Sequence, residues 1–194
     1  MPESLLLHCC CAPCSSAIVE YLMQHGVRPT LYYCNPNIYP LEEYERRKQE
    51  CTRYARTLGL DIVDADYDHP AWLCAVKGLE DAPERGPRCQ ECFRYRLLQS
   101  ARYALAHGFP VLTTTLASSR WKSLEQVDAA GAWAVERALA ESGGGNLTWW
   151  GRNWRKGGLQ ERRNALIKEW GFYNQTWCGC EFSVRAESAS SDLS

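Results

Sequence analysis

No stretch of the 194-residue chain approaches the roughly 20 consecutive apolar residues that a membrane-spanning helix needs. Its one early apolar run, Leu5-Leu6-Leu7, is too short for a secretory leader and has no basic flank, so the chain is expected to be cytoplasmic and free of membranes. Equally missing is a Gly-x-Gly-x-x-Gly after that run, which removes the usual dinucleotide fingerprint. A formal net charge of −1 provides no bulk attraction to a polyanion. With nothing to indicate export, an abundance of cysteine is not to be read as a disulfide framework.

Cysteine is abundant all the same, with eleven residues unevenly spread. Four fall within Cys9-Cys10-Cys11-Ala12-Pro13-Cys14, two in Cys89-Gln90-Glu91-Cys92 and two in Cys178-Gly179-Cys180. In a reducing compartment such groups point to metal ligation or redox chemistry. Cys34, Cys51 and Cys74 stand alone and are expected to be small buried hydrophobes. Charge is also uneven: between Arg152 and Lys168 six basic residues face the single acid Glu161, with Trp149, Trp150 and Trp154 at the start of the stretch. Cations that neutralise phosphates and rings that stack on bases suit RNA. A solvated helix face above core tryptophans is the alternative.

Composition, 45% hydrophobic and 23% charged, suits one compact domain, expected over 1–186 with a disordered tail at 187–194. Short apolar runs alternate with helical periodicity. Strands are expected at Leu5–Cys9, Thr30–Cys34, Asp61–Ala65 and Phe109–Leu116. Helices are expected from Pro13 to Gly26, Leu41 to Leu58, Cys89 to Gly108, Ser123 to Leu139 and about Leu159 to Trp170. The segment from Asp66 to Arg88, broken by proline and glycine, reads as an irregular excursion with one short helix around Trp72. This alternation predicts an α/β fold, a mainly parallel Rossmann-like sheet with flanking helices. Ligands of such sheets sit at the carboxyl ends of the strands, where the first strand delivers the Cys9–Cys14 run.

Thiolates from separate segments satisfy either a zinc ion or an iron–sulfur cluster. Adjacent Cys10 and Cys11 diverge, which suits a core of several metal atoms better than one tetrahedral ion. Cys178 and Cys180, one glycine apart, would close a strained and therefore reducible disulfide. His8 and His69 read as structural or catalytic with no basis for choosing. Besides a redox enzyme, the pattern admits a zinc-stabilised RNA-binding module and a ferredoxin-like electron carrier.

The three cysteine groups occur with Asn35-Pro36-Asn37-Ile38-Tyr39-Pro40, Gly78-Leu79-Glu80-Asp81-Ala82-Pro83-Glu84-Arg85-Gly86, Ser119-Arg120-Trp121-Lys122 and Asn153-Trp154-Arg155-Lys156-Gly157-Gly158. Together, from Leu6 to about Arg185, these segments resemble the epoxyqueuosine reductase family of the QueH type. The resemblance implies an oxidoreductase that reduces the epoxide of epoxyqueuosine to queuosine in the anticodon loop of a tRNA, drawing on an electron donor. It implies a 4Fe-4S cluster on Cys10, Cys11, Cys89 and Cys92, a redox-active Cys178/Cys180 pair, and an additional iron for which Cys14 is a candidate ligand. In its light Arg152, Trp154, Arg155 and Lys156 are the expected RNA contacts. Ser119 to Lys122 are expected on the active-site rim.

Overall fold

The computed structural model describes residues 4–183, so the tail expected at 187–194 lies outside the described residues. Five strands, β1 (Leu6–Cys9), β2 (Thr30–Tyr33), β3 (Ile62–Asp64), β4 (Val111–Thr114) and β5 (Thr148–Trp149), form one all-parallel sheet in the order β3-β2-β1-β4-β5. Around it run helices α1 (Ala12–Gln24), α2 (Leu41–Thr57), α3 (His69–Ala75), α4 (Pro87–Ala106), α5 (Leu124–Ser142) and α6 (Leu159–Trp170). This is the Rossmann-like α/β architecture expected from the alternation of apolar runs and helical periods.

The central strand is buried at every position, as a strand covered by helices on both faces must be. Leu5, Leu6, Leu7, Ile18, Leu22, Leu31, Leu97 and Leu112 form the heart of the core. On the helical layers α1 packs against α6 and α2, and α4 against α5. Pro13 and Pro87 occupy first-turn positions, where a missing N–H costs nothing. Ser123 caps α5 by accepting from the Gln126 N–H. Among the described residues no helix is long and apolar enough to cross a membrane.

Two local readings change. The fourth strand is shorter than Phe109–Leu116, because Thr114 turns its hydroxyl back to accept from the Leu116 N–H and the chain winds into a 3-10 turn at Thr115–Ser118. β5 was not expected: Thr148 and Trp149 pair with Val111 and Leu112 at the sheet edge. Trp149 lies over the helix position of Gly131, where any Cβ would run into its indole, and its Nε1–H donates to Asp128 at 2.8 Å.

The strand order places β1 between β2 and β4, with connections leaving in opposite directions. That makes the carboxyl ends of β1 and β4 the topological switch point, the usual crevice for ligands in such sheets.

Candidate active site

The Cys9–Cys14 run leaves β1 at this switch point. The backbone N–H of Cys10 donates to Thr115 Oγ1 at 3.1 Å, and the same hydroxyl donates to Cys10 Sγ at 3.4 Å, tying the ends of β1 and β4 together. The sulfurs of Cys10, Cys11 and Cys14 all lie within 4.8 Å of one another. Cys10 and Cys11 are 3.8 Å apart, and the Gln175 amide donates to Cys11 at 2.6 Å. Hydrogen bonds from Cys11 and Cys14 push the Cys10 thiol well below its ordinary pKa, with Lys122 assisting. Burial holds Cys11 up. Cys9 is fully buried and faces the core.

Cys89 and Cys92 stand one turn apart at the start of α4, and so share a face. Cys89 accepts from the Arg85 N–H at 3.3 Å. Cys92 belongs to a small satellite core with Trp72, Val76 and Cys180, against which Cys178 and Phe182 pack. The short helix α3 serves to deliver Trp72 to that core. The pair at 178 and 180 therefore adjoins the α4 thiols.

Arginine 47 anchors this terminal segment from α2. Its guanidinium donates to the carbonyls of Cys178 at 3.2 Å and Trp177 at 3.5 Å while paired with Glu43 at 2.6 Å. Gly179, at φ 97°, passes against Ile38 and Arg47 where a side chain has no room, and its carbonyl accepts from the Tyr39 N–H at 2.9 Å. His69 clamps the segment further, donating from Nδ1 to the Pro36 carbonyl at 2.7 Å and placing Nε2 2.9 Å from the Glu181 carboxylate. All eleven cysteines are free.

The two terminal thiols differ. A hydrogen bond from Cys180 lowers the Cys178 pKa to about 5 against the opposing effect of burial, with Lys122 adding to the drop. The same bond and burial drive Cys180 up. Burial disfavours the Lys122 ammonium, but the sulfurs of Cys10, Cys14 and Cys178 outweigh it and raise its pKa. One lysine therefore sits in the field of both thiol groups.

Beneath the site lies a buried polar layer. Arg96, 3% exposed, donates from Nε to the Cys34 carbonyl at 3.1 Å and from Nη2 to Asn35 Oδ1, with Nη1 4.0 Å from Cys92 Sγ. Burial disfavours its charge, and the groups that restore it are the sulfurs of Cys92, Cys10 and Cys34. His8 donates from Nε2 to the Cys34 carbonyl at 3.0 Å and accepts at Nδ1 from the Thr114 hydroxyl at 2.7 Å. Burial, reinforced by Arg96, lowers its pKa to about 3, so the ring is neutral and structural.

Gln175, Arg47 and Arg96 carry no motif and were not read from the sequence; Arg96 stands one helical turn after Cys92 on α4, a spacing that could have marked it, whereas Arg47 and Gln175 are revealed only by their contacts with separate segments. The isolated cysteines divide: Cys34 and Cys51 are buried as expected, whereas Cys74 is exposed at the end of α3. The expected RNA residues divide as well. Lys156 is exposed, but Arg155 donates from Nη2 to the carbonyls of Ser119 at 2.6 Å and Lys122 at 2.8 Å. Arg152 lies over Tyr21 and Trp154 and donates to the Tyr21 hydroxyl at 2.8 Å. Trp154 is 0% exposed, edge-on to Tyr21 and Trp150, so its ring has no free face for a base and the stacking expectation for it is withdrawn.

A family model described as Epoxyqueuosine reductase QueH matches residues 5–186. The Epoxyqueuosine reductase QueH of Histophilus somni is 45% identical over 183 residues, covering 94% of this chain and 73% of that protein. Its counterpart in Haemophilus influenzae is 44% identical, covering 94% and 72%. That of Thermotoga maritima is 31% identical over 184 residues, covering 93% and 90%. With a match that runs from the first strand through the terminal thiol pair, the chain belongs to the epoxyqueuosine reductase QueH family.

Proposed function

We propose that this protein reduces epoxyqueuosine to queuosine in the anticodon loop of a tRNA, at the thiol-lined switch point of its sheet. The observation that carries the reading is the family match over residues 5–186, which includes every cysteine group of the site. Family membership makes the chain an oxidoreductase of queuosine biosynthesis.

Four thiols from two chain segments, and a buried guanidinium whose opposing charges are all sulfur, form a donor set suited to a soft metal centre. Cys10, Cys11, Cys89 and Cys92 would hold a 4Fe-4S cluster, and Cys14, grouped with Cys10 and Cys11, would contribute to an additional iron. When bound, the cluster supplies electrons one at a time.

Removing the epoxide oxygen as water takes two electrons and two protons. Oxidation of the Cys178/Cys180 dithiol to a disulfide releases the same number of each, and an external donor then restores the dithiol. Gly179 gives the pair the backbone it needs, and Arg47 holds its carbonyls. Lys122 supports an anionic Cys178.

The test is anaerobic purification with iron and sulfide analysis, followed by incubation with epoxyqueuosine-containing tRNA and a chemical reductant. Loss of one oxygen from the nucleoside by mass spectrometry is the expected result. Stoichiometric zinc without sulfide, or an unchanged nucleoside, overturns the reading. Cys178→Ser is expected to lower turnover by roughly 100-fold or more while leaving iron content intact; undiminished turnover removes the dithiol from the electron path.

A further inference from the structure

Trp121 is the most exposed large hydrophobic side chain among the described residues, at 66%. A single exposed ring is ordinary. The backbone beneath this one is not. All four carbonyls of Ser119-Arg120-Trp121-Lys122 accept from two guanidiniums brought from distant segments. Arg155 takes Ser119 at 2.6 Å and Lys122 at 2.8 Å, and Arg85 takes Trp121 at 2.9 Å and Arg120 at 3.2 Å. Two long side chains thus fix a loop whose tryptophan they leave in solvent. Such bracing contributes nothing to burying the ring; it presets the ring's position.

The loop borders an open cavity of about 710 Å³ lined by Arg85, Arg120, Lys122, Arg155, Glu125 and Gln126 among others. Four cations face one carboxylate. Among the described residues neither Arg120 nor Lys122 takes part in a salt bridge. The Arg120 guanidinium lies 4.8 Å from the centroid of the Trp121 ring, joining the aromatic face to the cationic wall. Lys122 belongs both to this wall and to the field of the thiol groups. An aromatic platform, an adjacent cluster of cations and a shared lysine leading to a redox site call for a ligand with a flat ring and a phosphate next to the reacting group.

We propose that the 119–122 loop is the RNA-seating element of this protein: Trp121 stacks on an unpaired base of the anticodon loop and Arg120, with the cavity cations, takes a neighbouring phosphate. Arg85 and Arg155 are positioning residues that hold the loop. The inference rests on the tRNA substrate proposed above and names the surface that receives it.

The test measures binding without turnover, using fluorescence anisotropy of a labelled anticodon stem–loop over a salt titration. Stacking on one aromatic side chain accounts for about 5- to 160-fold in affinity, so Trp121→Ala is expected to weaken binding by that factor with its salt slope unchanged. Trp121→Phe, which keeps a flat ring, is expected to recover most of it. Arg120→Ala is expected to reduce the salt slope by about one phosphate contact. Wild-type affinity in Trp121→Ala, equal weakness in Trp121→Phe, or an unchanged slope in Arg120→Ala overturns the proposal, as does failure of the wild-type protein to bind. RNA binding with these responses but without epoxide reduction sinks only the functional reading and leaves the seating element standing.

Discussion

Cys178 and Cys180 sit in unequal surroundings, which lower the pKa of the first thiol and raise that of the second. The neighbouring Cys180 thiol, with the Lys122 charge assisting and burial opposing, lowers the Cys178 pKa to about 5 from the 9.0 of an isolated thiol. Alkylating reagents attack the thiolate, so iodoacetamide modification of Cys178 in metal-free protein is expected to rise with pH through about 5 and then to level off. Cys180→Ala removes the donor and is expected to move that midpoint upward. A wild-type midpoint in the ordinary thiol range, followed by mass spectrometry of the modified peptide, would count against the asymmetry.

Gly131, in the interior of α5, tests how the edge strand is held. Alanine in place of a helical glycine ordinarily stabilises by about 1 kcal/mol through propensity. Here the added methyl meets the Trp149 indole, and overpacking of that kind costs about 1–3 kcal/mol. Gly131→Ala is therefore expected to lower Tm, opposite in sign to its propensity; an unchanged or raised Tm would show that β5 yields freely. Neither β5 nor this contact was legible, because two residues carry no periodicity and the tryptophan's partner is a glycine eighteen positions earlier. Longer elements declared themselves. The last helix, expected at about Leu159 to Trp170, is found there, and Gly59 closed α2 within a residue or two. Thr113, Thr114 and Thr115 suit a strand through their β-branched stiffness, yet Thr114 and Thr115 serve as hydroxyl partners of His8 and Cys10. A residue's type constrains its backbone locally, whereas its hydrogen-bond partner is set by the fold. The same limit explains the tryptophans: Trp121 and Trp154 both neighbour basic residues in sequence, and only packing separates the exposed ring from the buried one.

Across the whole molecule, the neutral His8 joins the β1, β2 and β4 ends in one hydrogen-bonded layer. In the unfolded chain this histidine takes a proton as pH falls through 6.5, while in the folded protein it resists until about 3. Between those limits the unfolded state binds more protons, so stability falls as pH falls, approaching about 1.4 kcal/mol per pH unit from this residue. Urea unfolding of wild type and His8→Gln across that interval is expected to show a shallower decline in the variant, although it starts less stable at neutral pH. Parallel profiles would assign acid sensitivity to other groups. The delivery of the Cys9–Cys14 run to the switch point was legible because the end of β1 determines it; Arg47 and Gln175 reach the site from segments that sequence spacing does not relate to it.

The bracing of the 119–122 loop also bears on when the site comes into being. Arg85 reaches 35 and 36 residues forward in the chain to the loop, and Arg155 reaches 36 and 33 residues back. Contacts of such sequence separation repay their closure entropy only after the intervening elements have docked. All four contacts lie between residues 85 and 155, so they require α4, β4, α5 and β5 to be docked around the loop. A variant that leaves these elements undocked is therefore expected to lose the ordering of the loop, and with it the RNA affinity proposed for Trp121.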